Sequence, residues 1–405
     1  MIEPVSAPGL GIAASNALLS ELTRHPGPKR VALIGDDPGI VEQVLDVLGP
    51  KDELLIWVAD GLAALPVRAR VAARSRFVTE RVTVTDSIAG HMSDIDVAIV
   101  AEVLRSQVSE QLALVRPLLN ASGVVSFVTP ARGKGLFTAD PIPGVSEHVV
   151  RDDLVLRNMP PVRVHHARFT DADPELASQL APITRPSSVP LSTRMNIDSN
   201  GVAAAGILGG LALATKLVRP RSSAWMLPAA LAAPVAAFFR DPWREIVDDP
   251  RSVVAASDGK VLAVEEVEDA RFGYTENWLR IVVFLSVLDV HVNRAPVAGK
   301  VVDIICEEGG YAMAQKAAAE HNVAQYTVID SAYGRVVTAQ RTGLIARRIV
   351  NRAKIGGLLA KGERYGLIRF GSRTDVYLPA GSADALVAPG DKVSGAATLL
   401  ARFRG

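Results

Sequence analysis

The dipeptide Gly371-Ser372, set in the run RYGLIRFGSRTDVYLP, places a hydroxyl beside a peptide carbonyl and flanks both with Arg369 and Arg373. Glycine reaches backbone angles closed to other residues, so it tolerates a strained turn that presents its carbonyl to the next hydroxyl. Serine is a weak nucleophile until a base removes its proton, and a histidine oriented by a carboxylate supplies that base. His291, in FLSVLDVHVNRAPVAGKV, and Asp258, in ASDGKV, are the candidates. Taken singly, each has an ordinary alternative. Asp258 suits a turn, His291 suits an apolar strand as a core histidine, Ser372 suits a turn after glycine, and the arginines suit a solvated surface.

The elements around these residues read as β-rich. From residue 250 onward, short strands are expected at SVVAAS, KVLAVEEVE, WLRIVVFLS, GKVVDIICE, AQYTVIDS, GRVVTAQRT, GLIRFG, TDVYLP and DKVSGAATLLARF, with turns of Gly, Pro, Asp and Asn between them. Helices are expected near YAMAQKAAAEH and GLIARRIVNRA. The whole forms a mostly antiparallel β domain over 240–405. Upstream, 201–239 holds two apolar runs, GVAAAGILGGLALATKLV and AWMLPAALAAPVAAFF, joined by a basic connector with Lys216, Arg219 and Arg221. Each run is near or below the roughly 18–20 residues a spanning helix needs, and a hairpin would carry the basic connector across the bilayer. A helix pair dipping into one leaflet is the expectation, with a buried helical hairpin as the alternative.

The segments FFRDPWRE (238–245), ASDGKV, FLSVLDVHVNRAPVAGKV and RYGLIRFGSRTDVYLP, in this order, resemble the phosphatidylserine decarboxylase proenzymes of the short, archaeal-type branch over about residues 200–405. The resemblance implies that Ser372 attacks the carbonyl of Gly371, that elimination splits the chain between 371 and 372, and that Ser372 becomes a pyruvoyl group. That group would form a Schiff base with the amine of phosphatidylserine and draw off the electrons left by departing carbon dioxide, giving phosphatidylethanolamine. His291 is the candidate proton donor, and Arg369, Arg373 and Arg240 are candidate partners for the lipid phosphate or carboxylate. The resemblance further implies a heterodimer of the large and small chains, a homodimer of these, and a peripheral or monotopic place at the cytoplasmic face of the cell membrane. Arg294 stands where the long form of the family carries a second histidine. Arginine stays protonated, so it is no general base, and the self-cleavage base is either His291 or a group recruited differently. Asn322-Val323-Ala324 departs from the family's Asn-Glu-Arg run, which puts a substrate or interface contact in doubt.

The first part of the chain alternates strand and helix. KRVALIG (29–35), ELLIWVAD (53–60), RVTVTD (81–86), DIDVAIVA (94–101) and GVVSFVTP (123–130) are expected strands, and PGIVEQVLDVL (38–48) is an expected helix. Such alternation implies a parallel α/β sheet of Rossmann type over residues 1–150. These segments resemble a class I methyltransferase fold. The resemblance makes the loop Gly35-Asp36-Asp37-Pro38-Gly39 the approach to S-adenosylmethionine and Asp60 the acid for its ribose; a scaffold that binds no cofactor is the alternative. The proline-rich stretch 151–200 is expected to be a linker.

Composition bounds the rest. At 405 residues the chain is long enough for two or three domains. A formal net charge of +1 gives no global pull toward nucleic acid. The single cysteine, Cys306, excludes an internal disulfide and a cysteine-rich zinc site, and no metal is expected; Cys306 itself is expected to be a small buried residue. The N-terminus lacks a basic and apolar leader pattern, so cytoplasmic synthesis is expected. Three functions remain in view: an autoprocessed lipid decarboxylase with or without a methyltransferase fused to it, a non-catalytic membrane-associated scaffold, and a pyruvoyl decarboxylase acting on another amine-bearing acid.

Overall fold

The computed structural model describes residues 10–25, 27–87, 93–104, 108–131, 139–344, 348–369 and 372–404. The chain divides into two compact units, residues 1–173 with 179–186, and 174–178 with 187–405.

The first unit is built on a seven-stranded sheet of β1 (Arg30–Ile34), β2 (Glu53–Trp57), β3 (Val82–Thr85), β4 (Ile95–Val103), β5 (Leu119–Pro130), β6 (Val149–Val155) and β7 (Val162–Ala167), in the order 3-2-1-4-5-7-6. The first five strands run parallel, and β7 is antiparallel to both β5 and β6. Their middles are continuous apolar runs because helices cover both faces. Helix α1 (Pro38–Val47) starts on Asp37, whose carboxylate accepts from the Ile40 amide at 2.9 Å, with Pro38 in the first turn. The expected linker at 151–200 needs correction. Its first half supplies β6 and β7, whose alternation of Val with charged residues completes the sheet edge, and 188–192 pairs with 195–198 as a hairpin.

In the second unit, the hairpin of 188–192 and 195–198 leads into helices α2 (Ser199–Val218) and α3 (Met226–Phe238). They pack against each other, yet most of their side chains face outward, among them Ile207, Leu213, Leu217 and Leu227. The reading of this pair as a buried hairpin is therefore excluded. At about 30 Å, from 1.5 Å of rise per residue, α2 is long and apolar enough to cross a membrane by length and composition.

The β domain follows. Its eight-stranded sheet contains β8 (Gly259–Glu268), β9 (Asn277–Leu285), β11 (Gly299–Glu307), β12 (Ala324–Ser331), β13 (Gly334–Arg341), β15 (Leu358–Leu359), β17 (Ser372–Pro379) and β18 (Lys392–Val393) in the order 15-11-12-13-17-9-8-18. A three-stranded sheet of β10 (Val292–Arg294), β16 (Arg364–Ile368) and β14 (Ile349–Asn351) has the order 10-16-14. All pairings in both are antiparallel. Alternation gives the large sheet two buried faces. One carries Ile281, Val283, Ile329, Val336, Val376 and Leu378. The other carries Trp278, Tyr326, Val328, Val337 and Tyr377, with Phe272 over them.

Two expected helices read differently among the described residues. Residues 317–321 make a single 3-10 turn; of GLIARRIVNRA, 345–347 lie outside the described residues and 349–351 pair with β16 as a strand. In the second, local helical spacing yields to pairing offered by a neighbouring strand. Cys306 is exposed, because the strand period turns it outward from β11.

Candidate functional site

Register places the candidate residues. Ser372 begins β17 and pairs with Leu285 at the end of β9. Six residues later the chain returns in β10, and the Ile368 amide, at the end of β16, donates to the His291 carbonyl at 3.2 Å. The turn from β9 to β10 and the chain from β16 to β17 are thus held side by side, which brings His291 and Ser372 to one corner of the fold. Gly371 lies outside the described residues, so the bond between 371 and 372 is placed only through Ser372.

The Ser372 side chain is fully buried, and its hydroxyl has no hydrogen-bond partner among the described residues. A buried hydroxyl without a partner costs free energy, about 1–3 kcal/mol, so such a group marks a site of chemistry or strain.

His291 is buried against the ring of Phe238, at the end of α3, with centroids 4.1 Å apart. Its Nδ1 lies 2.9 Å from the Asp289 carbonyl oxygen. A carbonyl only accepts, so Nδ1 carries the proton and Nε2 keeps its lone pair. Burial pushes the imidazole down to about 4, against a smaller upward pull from Asp289. His291 is therefore neutral at pH 7 and able to accept a proton.

Asp258 is fixed in its turn by two bonds, from Arg244 Nη2 to Oδ2 at 2.7 Å and from the Gly395 amide to Oδ1 at 2.8 Å. Burial raises its pKa, and Asp289 adds to this against Gly395 and Arg244. Gly259 fixes the same turn at φ +154, where a Cβ would come within 2.2 Å of the Phe284 carbonyl oxygen. Asp258 and His291 share the electrostatic influence of Asp289 and Arg240, which puts all four in one cluster. The orienting bond to His291 comes from a backbone carbonyl, and Asp258 is oriented by an arginine.

Arg240 braces this corner. Its guanidinium donates to the Ala237 carbonyl at 3.2 Å and to that of Leu288, joining the end of α3 to the turn before His291. Arg369 donates to Asn200 Oδ1 at 2.5 Å, and its pKa is lowered by burial and then by Arg348 and Arg352. That electrostatic crowding is relieved by an anion.

Arg373 is a correction. It was expected beside Ser372 as a substrate ligand, but the two-residue period of β17 sends it to the opposite face. There its Nε donates to Asp375 Oδ1 at 2.6 Å and its Nη2 to Glu320 Oε1 at 2.8 Å. Burial pushes Asp375 up, but Arg373 and Arg341 outweigh this and hold it below the usual carboxylate range.

Arg294 is not a base here. It pairs with Asp241 and donates to the Gly362 carbonyl at 3.1 Å, tying β10 to the FFRDP segment. Asn322 clips Ala312 and Thr342 through their backbones, so it is a structural bond in place of the doubted contact.

Four buried polar residues escaped the sequence reading: Ser257, Asn293, Gln340 and Thr374. Ser257 Oγ and Thr374 Oγ1 are 2.7 Å apart, and Gln340 Nε2 donates to Asn293 Oδ1 at 2.7 Å. The available signal was spacing, since His291 and Asn293 stand two apart, as do Ser372 and Thr374.

In the first unit, Gly35 and Asp60 follow the C-terminal ends of the paired strands β1 and β2. Gly35 has φ +115, and its amide donates to the Trp57 carbonyl at 3.0 Å. Asp60 Oδ1 accepts from the Leu62 amide at 2.9 Å. Gly39 lies inside the first turn of α1, near the Asp37 carboxylate. Among the described residues there is no cluster of three metal-ligating side chains.

A family model described as phosphatidylserine decarboxylase matches residues 231–401. The phosphatidylserine decarboxylase proenzyme of Carboxydothermus hydrogenoformans is 42% identical over 169 residues, covering 42% of this chain and 79% of that protein. The chain belongs to the phosphatidylserine decarboxylase family. The proenzyme of Ralstonia nicotianae is also 42% identical, over 48% of this chain and 92% of its own length, and that of Cupriavidus pinatubonensis is 44% identical over 41% and 76%. Among solved structures, the precorrin-6y C5,15-methyltransferase of Geobacter metallireducens is similar at 16% identity and TM-score 0.27, covering 38% of this chain and 87% of that one. A methyltransferase of Geobacter sulfurreducens is similar at 13% and 0.29, covering 40% and 82%. Scores this low carry no argument, and the methyltransferase-like description of the first unit stands on its sheet order.

Arg373→Ala tests the face assignment. It leaves Asp375 buried beside fewer cations and should lower unfolding free energy by about 3–5 kcal/mol. The KM of the surviving protein for phosphatidylserine should stay within twofold of wild type in a vesicle assay.

Proposed function

We propose that this chain is a self-processing phosphatidylserine decarboxylase in which Ser372 is the nucleophile of chain cleavage and His291 the base. The observation that carries the reading is the buried Ser372 hydroxyl, which no described residue bonds, at a corner shared with a neutral histidine whose Nδ1 is held by the Asp289 carbonyl. The pyruvoyl group made from Ser372 supplies the electron sink for decarboxylation of an amine-bearing acid. The residues fit that origin, since the hydroxyl is fully buried and nothing described bonds it.

The chain's own groups have separable parts. His291 takes the Ser372 proton, and later returns a proton to the carbon that loses carbon dioxide. Asp289 fixes the tautomer through its carbonyl. Phe238 keeps water from the imidazole. Arg369, with Arg348 and Arg352 beside it, offers positive charge to the headgroup phosphate or carboxylate. Phosphatidylserine as substrate follows from the family, and the outward apolar faces of α2 and α3 support a membrane-borne substrate. Trp243 and Leu288, 63% and 82% exposed, lie on the segments flanking Asp258 and His291 and extend that apolar character. Attachment at the cytoplasmic face and pairing of two processed heterodimers are part of the same proposal.

Ser372→Ala should leave one uncut chain and no carbon dioxide release from phosphatidylserine vesicles. The rate of self-cleavage in the wild type should hold from pH 8 to about 5. It should fall as pH approaches about 4, because only unprotonated His291 is competent; loss of cleavage already near pH 6.5 would contradict a buried, depressed imidazole.

The positive φ of Gly35, at the point where the order of the parallel sheet reverses between β1 and β4, favours a second reading for the first unit, an S-adenosylmethionine site. Asp36 and Asp37 in the loop oppose the carboxylate of that cofactor. Calorimetric titration with S-adenosylmethionine decides it. Saturable heat supports the site, and its absence at high protein concentration leaves a scaffold.

A further inference from the structure

Helices α2 and α3 leave nearly all of their apolar surface uncovered. Of α2 only Gly201 and Ala212 are buried, and of α3 only Pro228 and Phe238. A helix that is apolar all round and still uncovered needs an apolar surrounding. Residues 199–215 and 222–239 contain no charged side chain, and no acid stands anywhere from 199 to 240.

The cations of the pair stand where the helices meet. Lys216 is in the last turn of α2, Arg219 and Arg221 lie in the connector, and all three are exposed. The Lys216 ammonium turns toward the connector and donates to the Pro220 carbonyl at 3.0 Å. It also lies 5.1 Å from the centre of the Trp225 ring, at the start of α3. A charge and an indole thus share one level, as they do at a membrane–water interface. Between Gly201 and Lys216 the one polar side chain is Thr215. Its hydroxyl donates to the Leu211 carbonyl at 2.8 Å, so it needs no water.

The opposite end is a second polar level. Residues 195–198 pair with 240–242, Ile197 opposite Arg240, so the chain enters α2 and leaves α3 at one root. Asp198, Asn200 and Arg240 stand there, and Trp243, 63% exposed, follows. Between the two levels α2 runs about 30 Å, and the hydrocarbon core of a bilayer is about 30 Å thick. The return from Trp225 to Arg240 is about 22 Å on the same rise. Ser222 to Ala224 lengthen it, and local thinning of the bilayer accommodates the remainder. A pair dipping into one leaflet would instead end with three cations in the middle of the hydrocarbon, where each is unfavourable and no acid offsets them. A pair lying flat would leave half of its apolar side chains in water.

We propose that α2 and α3 cross the bilayer as a hairpin, with the connector 219–225 in the far headgroup layer and the β domain on the near, cytoplasmic side. The flanks set the direction. Arg185 and Arg194 precede α2, and Arg240, Arg244 and Arg251 follow α3, five cations against three at the connector. Crossing goes beyond the decarboxylase reading and does not depend on whether the chain is cut, since both helices precede Ser372.

The test is thiol labelling of the full chain in spheroplasts of a bacterial host, with a maleimide that cannot pass membranes, read as a gel shift. Cys306, the single native cysteine, is exposed on the β domain and should react only after lysis in dodecyl sulfate. Ser223→Cys combined with Cys306→Ser moves the thiol to the connector, where Ser223 is exposed. That thiol should react as fully in intact spheroplasts as after lysis, and Ser222→Cys in the same background repeats the reading one residue away. The chain should also stay in the membrane pellet through an alkaline carbonate wash. Loss of labelling at both connector positions until lysis would overturn the crossing and leave a pair held within one leaflet. Recovery of the chain in the carbonate supernatant would overturn it too, as would reaction of Cys306 before lysis.

Discussion

The ion pair between Arg373 and Asp375 pins the strand on which the chemistry begins. Both are buried on one face of β17, and Arg341 and Glu320 complete a network around them. Isolated charges in that position would be prohibitive, so the face is stable only with this partnership intact. Because side chains alternate, fixing residues 373 and 375 on one face fixes 372 and 374 on the other. The nucleophile is thus positioned by an ionic lock that it does not touch. The antiparallel register then carries the position to His291, through the pairing of Ser372 with Leu285 and the bond from Ile368 to His291.

The other side of the corner is apolar. Phe238 ends α3 and lies on the imidazole, so the helices that face outward also terminate on His291. Removing water from His291 lowers its basicity and keeps it unprotonated at neutral pH. The Asp289 carbonyl compensates by fixing the tautomer, and Arg240 joins the helix end to the turn that carries this carbonyl. The outward-facing helices and the turn that carries His291 are one mechanical piece.

Much of this was legible in the sequence, for identifiable reasons. Four of the five parallel strands of the first unit have apolar, buried middles, and β3 follows as the short Val/Thr strand at the sheet edge. Ser372, His291 and Asp258 stood out because their motifs occur in order. What escaped depended on pairing at a distance. Strands β6 and β7 hid among prolines, and β14 carried helical spacing in a segment that β16 captured. Arg373 is adjacent to Ser372 in sequence and opposite to it in space, which only the strand assignment reveals. Asn293 and Gln340 are 47 positions apart, and no local pattern announces that they meet.

The most direct test is the mass and N-terminal chemistry of the purified protein under denaturing conditions. The account predicts two chains, the smaller being residues 372–405, 34 residues long, with its N-terminus blocked to stepwise degradation. A single intact chain of 405 residues, or a small chain beginning with a free serine amine, would contradict it.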